Sequence, residues 1–139
     1  MAAVHVEARI RASAQQVWQA LAATGEAHRA FAGVLTDSRM EREDLRVATF
    51  ANGMVVKERI VSVDPQRMRI AYSVIEKFEH HSASMQVIAR GDGECDFVWI
   101  TDVLPHAAAA SITPLMEAGA RALQKVMEQS QTGSPPSRG

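Results

Sequence analysis

Polar and apolar residues alternate along most of this chain and take a helical period only near its two ends. Val4, Val6, Ala8 and Ile10 alternate with His5, Glu7, Arg9 and Arg11, the period of a half-buried strand. Ser13 then stands where an N-cap belongs, and Val17, Trp18 and Leu21 mark one face of a short helix that Gly25 ends near Thr24. A second short helix is expected over Glu26 to Phe31, closed by Gly33.

From Val34 the pattern is that of strands. Val34 to Arg42 alternates weakly and is charged, as an edge strand would be. Leu45 to Phe50 and Met54 to Val63 flank Asn52-Gly53, a strong hairpin signal. Asp64-Pro65-Gln66 marks the next turn, after which Met68, Ile70, Tyr72 and Val74 alternate with Arg67, Arg69, Ala71 and Ser73. Ser82 to Ala89 and Cys95 to Val103 are two more strands, joined by Gly91-Asp92-Gly93, and Pro105 stops the last. Residues two apart share a face. His81, Ala83, Met85 and Val87 therefore look inward, as do Cys95, Phe97, Trp99, Thr101 and Val103, while Asp96, Val98, Ile100 and Asp102 look out. On the strand after Asn52-Gly53 neither side is cleanly apolar, so alternation does not choose between the face of Val56, Glu58 and Ile60 and that of Val55, Lys57, Arg59 and Val61.

The last element is a helix from His106 to Gln129. Ile112, Leu115, Met116, Gly119, Leu123, Val126 and Met127 fall on one stripe, opposite Glu117, Arg121, Gln124, Lys125 and Glu128. At 1.5 Å per residue it is roughly 35 Å long, and the strands are the surface available to cover its stripe. An early start near Ala107 with a bend at Pro114 suits the run of alanines. Gly119 costs about 1 kcal/mol relative to alanine in mid-helix. On a buried stripe it makes room for something, either a strand or a ligand.

A length of 139 residues suits one domain with one core. We place that domain at residues 1–129 and expect a disordered tail over 130–139 (SQTGSPPSRG), which is rich in Ser, Pro and Gly. A net charge of −1 without a basic cluster gives no reason to expect a nucleic-acid partner. The single cysteine, Cys95, rules out an intrachain disulfide. No apolar run approaches the length of a membrane span or of a signal-peptide core, so a cytoplasmic protein without stable membrane insertion is expected. The one protein partner expected is a second copy of the chain, as a homodimer.

Several segments, taken in order, resemble the START-like (SRPBCC) superfamily, in particular its bacterial polyketide cyclase/dehydrase-like group. They are the opening strand with Ala14-Gln15-Gln16-Val17-Trp18, then Asn52-Gly53, then Val56-Lys57-Glu58-Arg59-Ile60 with Asp64-Pro65, then Tyr72, Trp99-Ile100-Thr101-Asp102 and the long final helix. The resemblance implies an α+β helix-grip (START/Bet v 1-like) fold. In that fold a curved antiparallel sheet wraps a long C-terminal helix, with two short helices after the first strand and a cavity inside. It implies a small hydrophobic or aromatic ligand of polyketide or lipid type. Acid–base cyclisation, dehydration or isomerisation comes with it, the alternative being a carrier or sensor that does no chemistry. Plant abscisic-acid receptors, which resemble distant relatives, have a pocket glutamate in a Glu-Arg-Leu segment. Glu58 in Glu58-Arg59-Ile60 matches it, which turns Glu58 inward by resemblance. The receptors' gating-loop motifs are not evident here.

Glu58 and His81 are then the candidate proton-handling pair. A carboxylate in an apolar cavity must be paired or protonated, which suits a general acid or base; at the rim it would instead pair with Arg46 or another basic side chain. His81 suits a base or a donor to ligand. Tyr72, Met85, Trp99, Thr101, Met116 and Gly119 are the candidate ligand-binding residues, on the strength of inward position, hydrogen-bonding or stacking capacity, and the adaptability of methionine. All could instead be ordinary core, in a protein whose cavity is filled by its own side chains. His80 and His81 point to opposite faces and no other His or Cys stands at a metal spacing, so neither metal nor other cofactor is expected.

Overall fold

Residues 3–132 are described by the computed structural model. The first strand, β1, is Ala3–Ile10. Ser13 caps α1 (Ala14–Ala22) through a capping box in which its Oγ accepts from the Gln16 N–H at 3.2 Å and the Gln16 Oε1 accepts from the Ser13 N–H at 3.3 Å. The helix ends at Ala22, short of Thr24. Thr24–Glu26 is a 3₁₀ turn, and the second helix, α2, is only Ala27–Ala30. Its N-terminus is held from outside: Ser38 on the neighbouring strand accepts the His28 N–H at 3.1 Å and donates to the Gly25 carbonyl at 3.0 Å.

Six strands follow: β2 (Leu35–Arg42), β3 (Leu45–Phe50), β4 (Val55–Asp64), β5 (Arg69–Ile75), β6 (His80–Ala89) and β7 (Cys95–Leu104). With β1 they form one antiparallel sheet in the order β1-β7-β6-β5-β4-β3-β2, so the Val34-to-Arg42 segment is an edge. The Asn52-Gly53 signal is the β3–β4 turn. Gly53 has φ +91°, which a side chain would strain, and the Asn52 side chain accepts from the Met54 N–H at 2.9 Å. A bulge between Ile60 and Ser62 breaks the alternation of β4, so that Val63, not Ser62, is opposite the buried Ile70. Met68 lies in the turn before β5 with φ +52°, rather than inside the strand.

The last helix, α3 (Ala108–Thr132), contains Pro114 without interruption and runs three residues beyond Gln129. The rest of the expected tail, 133–139, lies outside the described residues. Gln124 donates to the Arg9 carbonyl at 2.7 Å, and Glu128 accepts the Arg11 N–H at 2.9 Å. These bonds fix the C-terminal half of α3 at the end of β1. There Leu123, Phe97, Ile10 and Val17 are fully buried and make the dry part of the core. Ile112, Met116, Ala120 and Met127 complete the buried stripe, with Leu115 and Val126 half-buried at its margins. The architecture is a curved antiparallel sheet gripping one long helix, the helix-grip fold.

Candidate functional site

Toward the N-terminal half of α3, the sheet and helix enclose a cavity of about 580 Å³. Strand register arranges its wall in levels. Tyr72 is opposite Ala83, and Ala83 is opposite Thr101. One level nearer the dry core, Ile70 is opposite Met85 and Met85 is opposite Trp99. On the other side of the Tyr72 level, Arg46 is opposite Glu58, Glu58 opposite Val74, and His81 opposite Val103. Glu58, Tyr72, His81, Met85, Trp99, Thr101, Met116 and Gly119 all line this one cavity. A cavity of this volume takes a drug-sized molecule, so the side chains do not fill it themselves.

Glu58 faces inward and is paired. The Arg46 Nε donates to Glu58 Oε1 at 2.8 Å, and an Arg46 terminal nitrogen donates to the Thr24 carbonyl at 3.0 Å. Both side chains are about nine-tenths buried. The guanidinium carbon lies 5.8 Å from the Tyr72 ring centroid, within cation–π range. Arg46 thus ties β3, β4 and the 3₁₀ turn together at the cavity wall. The pair belongs to the wall rather than to an exposed rim.

His81 sits where the sheet opens. The β5–β6 ladder runs only from Arg69 opposite Gln86 to Tyr72 opposite Ala83. Beyond that level, β5 keeps pairing with β4 as far as Ile75, and β6 with β7 as far as Leu104. Two side chains bridge the resulting seam. The Val74 N–H donates to His81 Nδ1 at 3.0 Å, and the Ser73 hydroxyl donates to the His81 carbonyl. Because Nδ1 accepts, the neutral ring carries its proton on Nε2. Burial, with a smaller contribution from nearby His80, pushes the His81 pKa down to about 4. The ring stacks on Phe78 at 5.6 Å and 20°, and its centroid lies 5.8 Å from that of Tyr72.

Tyr72 leans across β6, over the small Ala83, and its hydroxyl accepts from the Trp99 indole N–H at 3.1 Å. Burial first, then the Glu58 charge, pushes its phenol pKa up, so it stays protonated. The room that Gly119 makes is taken by Trp99. A Cβ added there would lie 2.8 Å from Trp99 Cζ3 and 3.1 Å from Cη2. Gly119→Ala gains about 1 kcal/mol of helix propensity but forces the indole aside, an overpacking that costs about 1–3 kcal/mol. We expect a net loss of about 1 kcal/mol in urea unfolding, with a changed tryptophan emission. A net gain with unchanged emission would mean that Trp99 is not held by this contact.

Sequence pattern marks Arg46 only as a rim partner for Glu58 and does not mark Phe31, Val74 or Phe78 as cavity residues, yet all four line it. The mouth is bordered by the exposed Asn52, Lys77, Ser111 and Pro114. Among the described residues no group of three or more His, Cys, Asp or Glu is placed to hold a metal ion. Cys95 is buried in the dry core, and burial pushes its thiol pKa up to about 11.

The chain matches, over residues 1–129, the model of a family described as polyketide cyclase / dehydrase and lipid transport. No curated protein matches it. Among solved structures, the protein XoxI from Bacillus cereus superposes with a TM-score of 0.84 at 18% identity, covering 94% of this chain and 99% of that one. Truncated norcoclaurine synthase from Thalictrum flavum does so at 0.71 and 18%, covering 96% and 94%. The di-domain ARO/CYC BexL from the BE-7585A biosynthetic pathway gives 0.80 at 12% identity, with 94% of this chain covering 48% of that protein. At such identities the likeness is one of fold. Among the described residues no helix is long and apolar enough to cross a membrane.

Proposed function

This chain belongs to the polyketide cyclase/dehydrase and lipid transport family of the START-like superfamily, and on that premise we propose that it binds a small hydrophobic or aromatic molecule in the cavity between sheet and α3. The observation that carries the reading is the 580 Å³ cavity, whose wall is mostly apolar and whose few polar groups converge on it. Glu58, already paired, is the group on which proton transfer in a cyclisation, dehydration or isomerisation would depend. The norcoclaurine synthase and ARO/CYC names of two structural neighbours agree with such chemistry but lend this chain only their fold. A carrier or sensor is the second reading. It is favoured by the Arg46–Glu58 bond, which already occupies Glu58 Oε1. A single domain over residues 1–129, a cytoplasmic location and self-association as a homodimer belong to the same proposal and rest on composition and pattern alone.

Native mass spectrometry of the protein from its own host is expected to reveal a co-purifying small molecule. With that molecule as substrate, Glu58→Gln should lower turnover on the order of 100-fold while binding is largely kept. Binding that weakens with no turnover in either form identifies a carrier. A protein that holds no ligand from its host and takes up no fluorescent hydrophobic probe would sink both readings.

A further inference from the structure

Three polar side chains in the cavity wall are more than nine-tenths buried, and none has an acceptor for its proton among the described residues. Tyr72, 5% exposed, accepts from Trp99 but gives its own O–H to no described side chain or carbonyl. His81, 8% exposed, has Nδ1 occupied by the Val74 N–H, which leaves the Nε2–H without a described partner. Thr101, 1% exposed, makes no side-chain hydrogen bond with a described residue. All three line the cavity. Register gathers them: Tyr72 and Thr101 flank Ala83, whose methyl lets the phenol cross β6, and His81 is two residues along the same strand. Buried donors left unpaired are costly, and three in one patch call for a partner that the cavity admits.

The partner's chemistry follows from what the patch lacks. His81 Nε2–H can only donate, and Tyr72 has already given a lone pair to Trp99. The nearby carboxylate, Glu58, has its Oε1 engaged by Arg46. The patch holds more protons than acceptors, so a ligand hydroxyl would add one more donor to it, whereas a carbonyl oxygen brings lone pairs alone. A carboxylate would bring a charge to a buried patch of neutral donors, the lining's further cation, Lys77, being exposed at the mouth. We propose that Tyr72, Thr101 and the Nε2–H of His81 form a site for the carbonyl oxygen of a ketone or aldehyde ligand. This rests on the cavity-binding reading and adds a specific function for His81, as a donor to the ligand rather than a base. The depressed His81 pKa agrees, since the ring is neutral at pH 7.

Fluorenone and fluorene test the idea on the wild-type chain, because they share one rigid shape and differ in a carbonyl against a methylene. Without donors the cavity should prefer fluorene, since stripping water from a carbonyl is unfavourable. We expect the reverse by about tenfold, read by titration of tryptophan fluorescence, with the bound fluorenone C=O stretch lowered in the infrared. The affinity ratio should fall toward one in Thr101→Val and in Tyr72→Phe; either variant alone suffices should the other not fold. Equal or preferred binding of fluorene, with an unshifted carbonyl stretch, would overturn the carbonyl site and leave the cavity reading standing. Binding of neither compound would count against both. A tenfold preference that survives both substitutions would place the oxygen elsewhere and overturn the assignment.

Discussion

Arg46→Met is expected to destabilise the protein by roughly 3–5 kcal/mol, the cost of leaving one member of a buried ion pair without the other. The substitution strips Glu58 of its donor at 2.8 Å and the Thr24 carbonyl of its donor at 3.0 Å. Against a typical domain stability of about 5–15 kcal/mol, that is a large fraction. The double variant Arg46→Met/Glu58→Leu should recover most of the loss, because an apolar pair of similar volume needs no compensation in a buried site. Urea unfolding of the four proteins in a double-mutant cycle measures the coupling. A cost below about 1 kcal/mol for Arg46→Met is what a solvent-screened pair would give. It would mean that water reaches the carboxylate freely through the cavity.

Acid should unfold this protein sooner than its exposed carboxylates alone would require. The folded-state pKa of His81 is about 4, against 6.5 for an unburied imidazole. Above pH 6.5 the ring is neutral in both states and its contribution is complete. Between 6.5 and 4 the unfolded chain takes up a proton that the folded chain refuses, so stability falls as pH falls through that window. Below 4 both states are protonated and this group adds no further loss. The full effect is up to about 3 kcal/mol. His81→Gln offers an amide oxygen for the Val74 N–H and does not titrate. Stability curves for the two proteins between pH 7 and pH 4 should therefore converge as pH falls. Parallel curves would show that the imidazole titrates freely in the folded state.

Most of the fold is written in local signals. Alternation placed the inward residues of β5, β6 and β7, Ser13 announced α1, and Asn52-Gly53 announced the β3–β4 turn. What local pattern omitted was tertiary. The bulge in β4, which sets Val63 opposite Ile70, has no composition of its own. The cap on α2 comes from Ser38, ten residues beyond His28. Gly119 signalled a close approach, yet only the packed structure identifies the approaching group as the Trp99 indole. The pairing of Arg46 with Glu58 was within reach. Leu45 opposite Arg59 and Ala48 opposite Val56 share one antiparallel register about the Asn52-Gly53 turn, and the same register sets Arg46 opposite Glu58. The direction of the His81 proton was not, since it depends on an N–H from Val74 across an opening in the sheet.

That opening bears on how the wall responds to what it holds. On one side of it β2 to β5 are joined by continuous backbone pairing, and on the other β6, β7 and β1 are joined likewise. Above Tyr72 the halves are joined by the chain itself through residues 76–79, by the rings of Tyr72, Phe78 and His81, and by the two side-chain bonds at His81 and Ser73. Each bond is worth about 1 kcal/mol net, and each is released by turning a side chain rather than by unzipping a strand. The enclosure is therefore compliant along one line and stiff elsewhere. Bending this hairpin end to admit a bulkier guest exchanges those two bonds and the His81 ring contacts for contact with the guest without unzipping a strand, so selectivity by size is softest at the edge lined by His81.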